Sequence, residues 1–392
     1  MKSVEESIHS LSSSLRTLSL SIHNNPEVGW KEFDTSSTLV NYLTSQTKGK
    51  EGFEITYPVH ESLPTAWRAT FVNGKGGRTI GFQSEMDALP GVGHACGHNL
   101  IAISGVAAFL SLAESMREHD ITGKLILLGT PAEELDGGKI KLIELGEYEK
   151  MDTCMMLHPA PSGGFGPMMA VAVVKARFTG KEAHAAGFPW EGRNALDAAV
   201  VSYQAISVLR QQTHPSYRIH GIMGPGEGNR WVQNIIPATS ELEFGVRTPR
   251  SEDLSELKKK VERCFLAGKE ATGCELTVEW TMEYKEEYKS YMESHQDVPV
   301  NVIEPLGSTD FGDVSHVCPS IHPMFAIPVQ GENSGNHTYG FAKAAATEEA
   351  HNETLKVSAG IAVTAARVLL DSSFAARVRN NFDTQVLGQV NE

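Results

Sequence analysis

The chain has no excess of positive charge, no long apolar run and no cysteine framework. Its 392 residues carry 34 Lys and Arg against 48 Asp and Glu, a net charge of −14 with a pI near 5.6. No basic field is present to attract phosphate, which argues against nucleic acid as a partner. No uninterrupted run of about 18 apolar residues occurs, so neither a membrane span nor a membrane partner is expected. The opening Met1-Lys2-Ser3-Val4-Glu5-Glu6 leads into an amphipathic pattern, so no secretory signal is expected. Five cysteines, an odd number in a long chain, do not make a disulfide framework. A reducing compartment, the cytoplasm, is the expectation. The sequence shows no internal repeat, no low-complexity segment and no Gly-x-Ser-x-Gly elbow. Gly224-Pro225-Gly226-Glu227-Gly228 lacks the Lys-Ser/Thr that would make it a phosphate loop.

What is present is enough apolar residue, 41%, for a large core. Single cores stop growing at roughly 250–300 residues, so two domains are expected. Val4, Ile8, Leu11, Leu15, Leu18 and Ile22 recur at helical spacing. A second helix is predicted over 34–47, with Asp34 or Thr35 as its cap. Three apolar strands follow, at 79–83, 124–129 and 153–157. Each runs into a polar cluster: Glu85 and Asp87, then Glu133 and Glu134, then His158. A helix over 99–118 separates the first two strands. Such alternation predicts an α/β sheet, and ligands of open α/β sheets bind beyond the carboxyl ends of the strands. From 171 the pattern changes to a strand at 171–178, a helix at 193–211, strands at 217–223 and 240–247, a charged helix and a strand at 275–282. The order βαββαβ is the ferredoxin-like arrangement of an α+β domain. The expected organisation is a catalytic domain in two parts, 1–170 and 285–392, with 171–284 inserted between them.

Chemistry concentrates at two junctions, Gly93-His94-Ala95-Cys96-Gly97-His98-Asn99 and Thr130-Pro131-Ala132-Glu133-Glu134. A thiol and an imidazole two residues apart, beside glycines that permit a sharp turn, suit a borderline-soft ion such as zinc. Of two adjacent carboxylates, one can ligate a metal while the other takes a proton from water. His158 fits the same locus as a third strand-end ligand. Asp87 reads as an orienter of a histidine, and Glu85 as a ligand, an orienter or a turn cap. His184, in Gly180-Lys181-Glu182-Ala183-His184-Ala185-Ala186, and His337, in Gly335-Asn336-His337-Thr338, read as loop histidines that sequence alone does not bring to the metal.

These residues resemble the amidohydrolase branch of the aminoacylase/carboxypeptidase-type metallopeptidases. The resemblance rests on Met86-Asp87-Ala88-Leu89-Pro90, His94-Ala95-Cys96-Gly97-His98-Asn99 and Pro131-Ala132-Glu133-Glu134. It extends to His23-Asn24-Asn25-Pro26-Glu27-Val28-Gly29-Trp30, to Gly192-Arg193-Asn194-Ala195-Leu196-Asp197-Ala198 and to Gly307-Ser308-Thr309-Asp310-Phe311-Gly312. It implies a mixed-sheet di-metal hydrolase domain with an inserted lid and dimerisation domain. Two divalent ions, Zn or Mn, are implied, held by Cys96, His98, Glu134, His158 and His337, with Cys96 as the bridge. Glu133 matches the general base. His184 matches a lid histidine that serves the partner subunit's site in a homodimer, and Asn234 and Arg247 match substrate-binding positions. The implied reaction is hydrolysis of a small N-acyl amino acid or dipeptide with a free carboxylate. Two alternatives are deacylation of a biosynthetic intermediate and a metal-poor scaffold without turnover. The chain departs from the pattern with Gln233 before Asn234, where proline is common, and with Thr338-Tyr339-Gly340 after His337, where Thr-Pro-Glu is common.

Overall fold

A computed structural model describes residues 2–164, 168–286, 307–331 and 334–388. They form two compact units, one of 2–164 with 309–388 and one of 168–286 with 307–308. The expected closing segment starts at 285, and its residues 287–306 lie outside the described ones.

The first unit opens with helices α1 (Lys2–Asn24) and α2 (Phe33–Thr47) and strands β1 (Phe53–Thr56), β2 (Trp67–Asn73) and β3 (Arg78–Glu85). Next come α3 (His98–Glu118), β4 (Gly123–Thr130), α4 (Gly138–Glu144), β5 (Thr153–Met155) and β6 (His158–Ala160). The second unit holds β7 (Ala170–Thr179), α5 (Ala195–Leu209), β8 (Arg218–Gly224), β9 (Thr239–Thr248), α6 (Ser251–Thr272) and β10 (Glu275–Tyr284). The chain then returns to the first unit with α7 (Phe311–Ser315), β11 (Ser320–Ile321), β12 (Met324–Ala326), α8 (Tyr339–Ala345), α9 (Glu348–Leu370) and α10 (Ser372–Phe382).

The first unit's sheet runs β1-β2-β4-β3-β5-β11. Strands β4, β3, β5 and β11 are parallel, whereas β1 and β2 pair antiparallel at the edge. This is the expected mixed α/β sheet. Strand β2 gives no clear sequence signal because Arg68 and Thr70 interrupt its apolar run. Helix α3 packs against β3, α1 and α9. By length and composition it could cross a membrane, yet it is almost wholly buried within the protein. Gly105 lets it lie close to the sheet, since a Cβ there would meet the Gln83 carbonyl oxygen at 2.2 Å. The expected cap of α2 is corrected: the helix starts at Phe33, and the Glu27 carboxylate accepts the Asp34 and Thr35 amides at 3.1 and 2.7 Å.

The second unit is a βαββαβ sandwich with the antiparallel order β10-β7-β9-β8. Its core sets Val174, Phe178, Leu242 and Phe244 of the sheet against Ala198, Ile206, Val261 and Phe265 of α5 and α6. Asn194 caps α5 by accepting the amides of Leu196 and Asp197 at 3.0 and 3.4 Å.

Candidate metal centre

Four loops of the first unit deliver the predicted side chains to one place. Strand β3 ends in Glu85, with Asp87 just beyond. The next loop turns through Gly93 and Gly97, both left-handed at φ +69° and +81°, presents Cys96 and starts α3 at His98. Strand β4 ends at Thr130, and Ala132, with φ +53°, turns the chain so that Glu133 and Glu134 follow. His158 opens β6, and His337 sits at φ +67° with its amide donating to the Ala95 carbonyl at 2.8 Å.

Four groups of candidate ligand atoms lie within 4.8 Å of one another: Cys96, His98 and His158; Cys96, Glu134 and His337; His98, Glu133 and Glu134; and Glu85, Glu133 and Asp310. Cys96 is common to the first two. Its Sγ is 3.4 Å from His158 Nε2, and His337 Nε2 is 3.4 Å from Glu134 Oε1. His98 Nε2 lies 3.8 Å from Glu134 and 4.0 Å from Glu133, while its Nδ1 stands 3.3 Å from Asp87 Oδ1. Asp87 Oδ2 accepts the Glu134 amide at 3.0 Å, tying two of the loops together. His98 Nε2, Glu134 Oε1 and Glu85 Oε2 are buried, close enough for ion pairing, and have no partner in hydrogen-bond geometry. Buried polar atoms of that kind fit a cation as their missing partner.

The electrostatics agree. Burial works against a charged His98, but Glu85, Asp87 and Cys96 around it raise its proton affinity well above the ordinary histidine value. Burial, with His322 alongside, holds His158 down at about 3. A neutral ring facing the Pro159 carbonyl at 2.8 Å donates from Nδ1, which leaves the Nε2 lone pair toward Cys96. Burial and the Glu134 charge push the Cys96 thiol well up, so a cation is needed to draw off its proton. Burial, Glu85, Glu134 and Asp310 likewise push the Glu133 carboxyl well up, which suits a proton acceptor.

Three participants were missed from sequence. Buried Lys139 of α4 holds Glu85 Oε1 at 2.6 Å and Asp310 Oδ1 at 2.5 Å, so Glu85 belongs to a sealed ion network as well as to the histidine. Asp310 Oδ2 also accepts the Lys139 amide at 2.9 Å. Glu32 is wholly buried; burial, with the charge of Asp87 behind it, pushes its carboxyl up to about 7. A lysine after two glycines, or a glutamate after Lys31, reads as solvated surface, and no periodic signal marks these as interior. His184, Asn234 and Arg247 lie in the second unit. His184 is exposed, with Nδ1 accepting the Ala186 and Gly187 amides at 3.2 and 3.0 Å. The Asn234 carbonyl accepts the Ala185 amide at 3.0 Å, and Arg247 donates to Ser308 Oγ at 2.7 Å.

Comparison with known proteins gives this geometry a family. The model of the M20 peptidase dimerisation domain matches residues 170–271. The human Xaa-Arg dipeptidase is 37% identical over 96% of this chain and 90% of its own length. A subunit of p-aminobenzoyl-glutamate hydrolase from Escherichia coli is 28% identical over 66% of this chain and 55% of its own length. A solved Bacillus subtilis structure, described as a dinuclear metal-binding peptidase of the M20 family, superposes with a TM-score of 0.62 at 18% identity, covering 91% of this chain and 99% of that one. The chain belongs to the amidohydrolase branch of the M20 metallopeptidases, hydrolases of peptide and amide bonds.

Proposed function

We propose that the protein hydrolyses the amide bond of a small N-acyl amino acid or dipeptide bearing a free carboxylate, with Xaa-Arg dipeptides as the leading class. The gathering of Cys96, His98, Glu133, Glu134, His158 and His337 in one acid-rich cluster, buried at Cys96 and His98 and open at His337, carries this reading, and the extent of identity to an Xaa-Arg dipeptidase supports the substrate class. Cys96, His98, Glu134, His158 and His337 would hold two divalent ions, with Cys96 shared. Mixed thiolate, imidazole and carboxylate donors suit zinc, and manganese is the second candidate. When bound, the ions polarise the amide carbonyl and acidify water. Glu133 takes the proton of the attacking water and returns it to the leaving amine. Asp87 orients His98. His184, Asn234 and Arg247 are the second unit's candidates for holding substrate, with His184 serving the partner subunit in a homodimer. The match to a dimerisation domain supports that assembly. The five cysteines are all free and buried, which supports a reducing compartment such as the cytoplasm.

The test is a panel of Xaa-Arg dipeptides, β-alanyl dipeptides, N-acyl amino acids and p-aminobenzoyl-glutamate, offered to the wild type and to Glu133→Gln. The variant keeps its metal and loses about 10²–10⁴-fold in kcat; preserved turnover removes Glu133 as the base. A monomeric form with full activity removes the role given to His184.

A further inference from the structure

The early motif at residues 23–32 supplies no ligand, yet it touches the loops that carry the ligands. His23 Nε2 lies 2.8 Å from the Ala342 carbonyl, just after the His337 loop, and its ring centroid is 6.2 Å from that of His94. The Glu27 carbonyl accepts the Ala88 amide, next to Asp87, at 2.7 Å. Gly29 lies against the glutamate turn so closely that a Cβ on it would meet Ala132 Cα at 3.0 Å. The Trp30 indole donates to Asp136 Oδ2 at 2.8 Å, at the far end of the same turn. Glu32 then reaches the turn itself: Oε1 accepts the Ala132 amide at 2.8 Å, while Oε2 accepts the Thr65 hydroxyl at 2.9 Å.

We propose that residues 23–32 clasp the metal-site loops, and that Glu32 is the positioning residue that fixes the turn carrying Glu133 and Glu134. Ala132 is buried and left-handed, a conformation that a residue with a Cβ adopts only when its surroundings impose it. The Ala132 carbonyl accepts the Asp136 and Gly137 amides at 3.3 and 3.0 Å, which closes the turn from its other side. Its own amide has the Glu32 carboxylate as acceptor. Without that acceptor the peptide is free to rotate, and the next two residues are the base and the ligand. An amide at position 32 preserves the arrangement, because its oxygen accepts from Ala132 and its NH₂ donates to the Thr65 hydroxyl. The inference rests on reading Glu133 as base and Glu134 as ligand.

The test measures kcat, KM and metal retention against a chromophoric chelator in the purified full-length protein. Glu32→Ala lowers kcat by about 10–100-fold, with KM nearly unchanged, and speeds metal loss. Glu32→Gln restores both. Thr65→Val, which breaks the other bond of the carboxylate, lowers the melting temperature but leaves kcat and metal retention in place. In an Ala132→Gly background, where the left-handed turn is free of strain, Glu32→Ala costs less. If Glu32→Ala fails to fold, Trp30→Phe probes the same turn through Asp136 and lowers kcat by about 3-fold or more; unchanged values overturn the clasp. Wild-type kcat and metal retention in Glu32→Ala overturn it too, as does a Glu32→Gln variant as impaired as Glu32→Ala. Glu134→Gln is the reference: if it retains metal, the ligand reading fails, and if it loses metal while Glu32→Ala does not, only the clasp fails.

Discussion

In the first unit Glu32, Glu85, Asp87, His98, Lys139 and Asp310 are all sealed from solvent. Among the described residues of the second unit the buried polar side chains are Ser202, Ser240 and Thr248, and ion pairs such as Arg177–Glu241 and Lys175–Glu243 sit at the surface. The second unit has an ordinary sandwich core, in which apolar area does the stabilising and charge stays wet. The first surrenders stability to keep charge in the dry, because burying an ion is costly even when it is paired. That difference separates a region built around a reaction from a region built around a shape.

The largest expected effect tests the sealed network. Lys139→Met leaves Glu85 and Asp310 buried without their countercharge and costs about 3–5 kcal/mol in chemical denaturation; a loss under about 1 kcal/mol would mean that the first unit tolerates unpaired charge. The next concerns pH. Folding raises the Glu32 carboxyl from 4.5 to about 7, so between those values the folded protein binds a proton that the unfolded chain has released. Stability therefore falls as pH rises through that window and levels off above it. Relative to Glu32→Gln, which has no proton to lose, the wild type gives up as much as about 3 kcal/mol between pH 4.5 and 8. Parallel curves across that range would show that Glu32 does not titrate in the window. The smallest effect belongs to the second unit: Arg177→Met, which removes the 2.7 Å surface pair with Glu241, changes stability by less than about 1 kcal/mol. A larger loss would erase the contrast between the units.

The sequence marks the elements whose apolar residues recur without interruption. Strands β3 and β4, helix α3 and the βαββαβ order of the second unit were legible for that reason. Much of the candidate cluster was legible because Glu133, Glu134 and His158 follow those apolar runs and Cys96 and His98 stand at the start of α3, whereas His337, in a late loop, carries no such signal. The supports were not. Lys139 follows two glycines at the start of α4, Glu32 precedes Phe33 at the start of α2, and Asp310 lies in a late loop. Each acts on a residue far away in the chain, and periodicity describes only neighbours. The cap of α2 was misplaced for a related reason: its donors are satisfied by Glu27, from the preceding loop, rather than by a residue at the helix boundary.

Gly105 has a consequence for the whole centre. Helix α3 begins with His98, strand β3 leads to Asp87, and where the two cross no side chain separates them. How far an imidazole stands from its carboxylate is thus gauged about two helical turns away, by a missing methyl group. One added carbon at that crossing would act as a wedge, prying the helix off the sheet and carrying the histidine with it. The loops can be rewritten around new substrates, but that spacer of zero width leaves no room for revision.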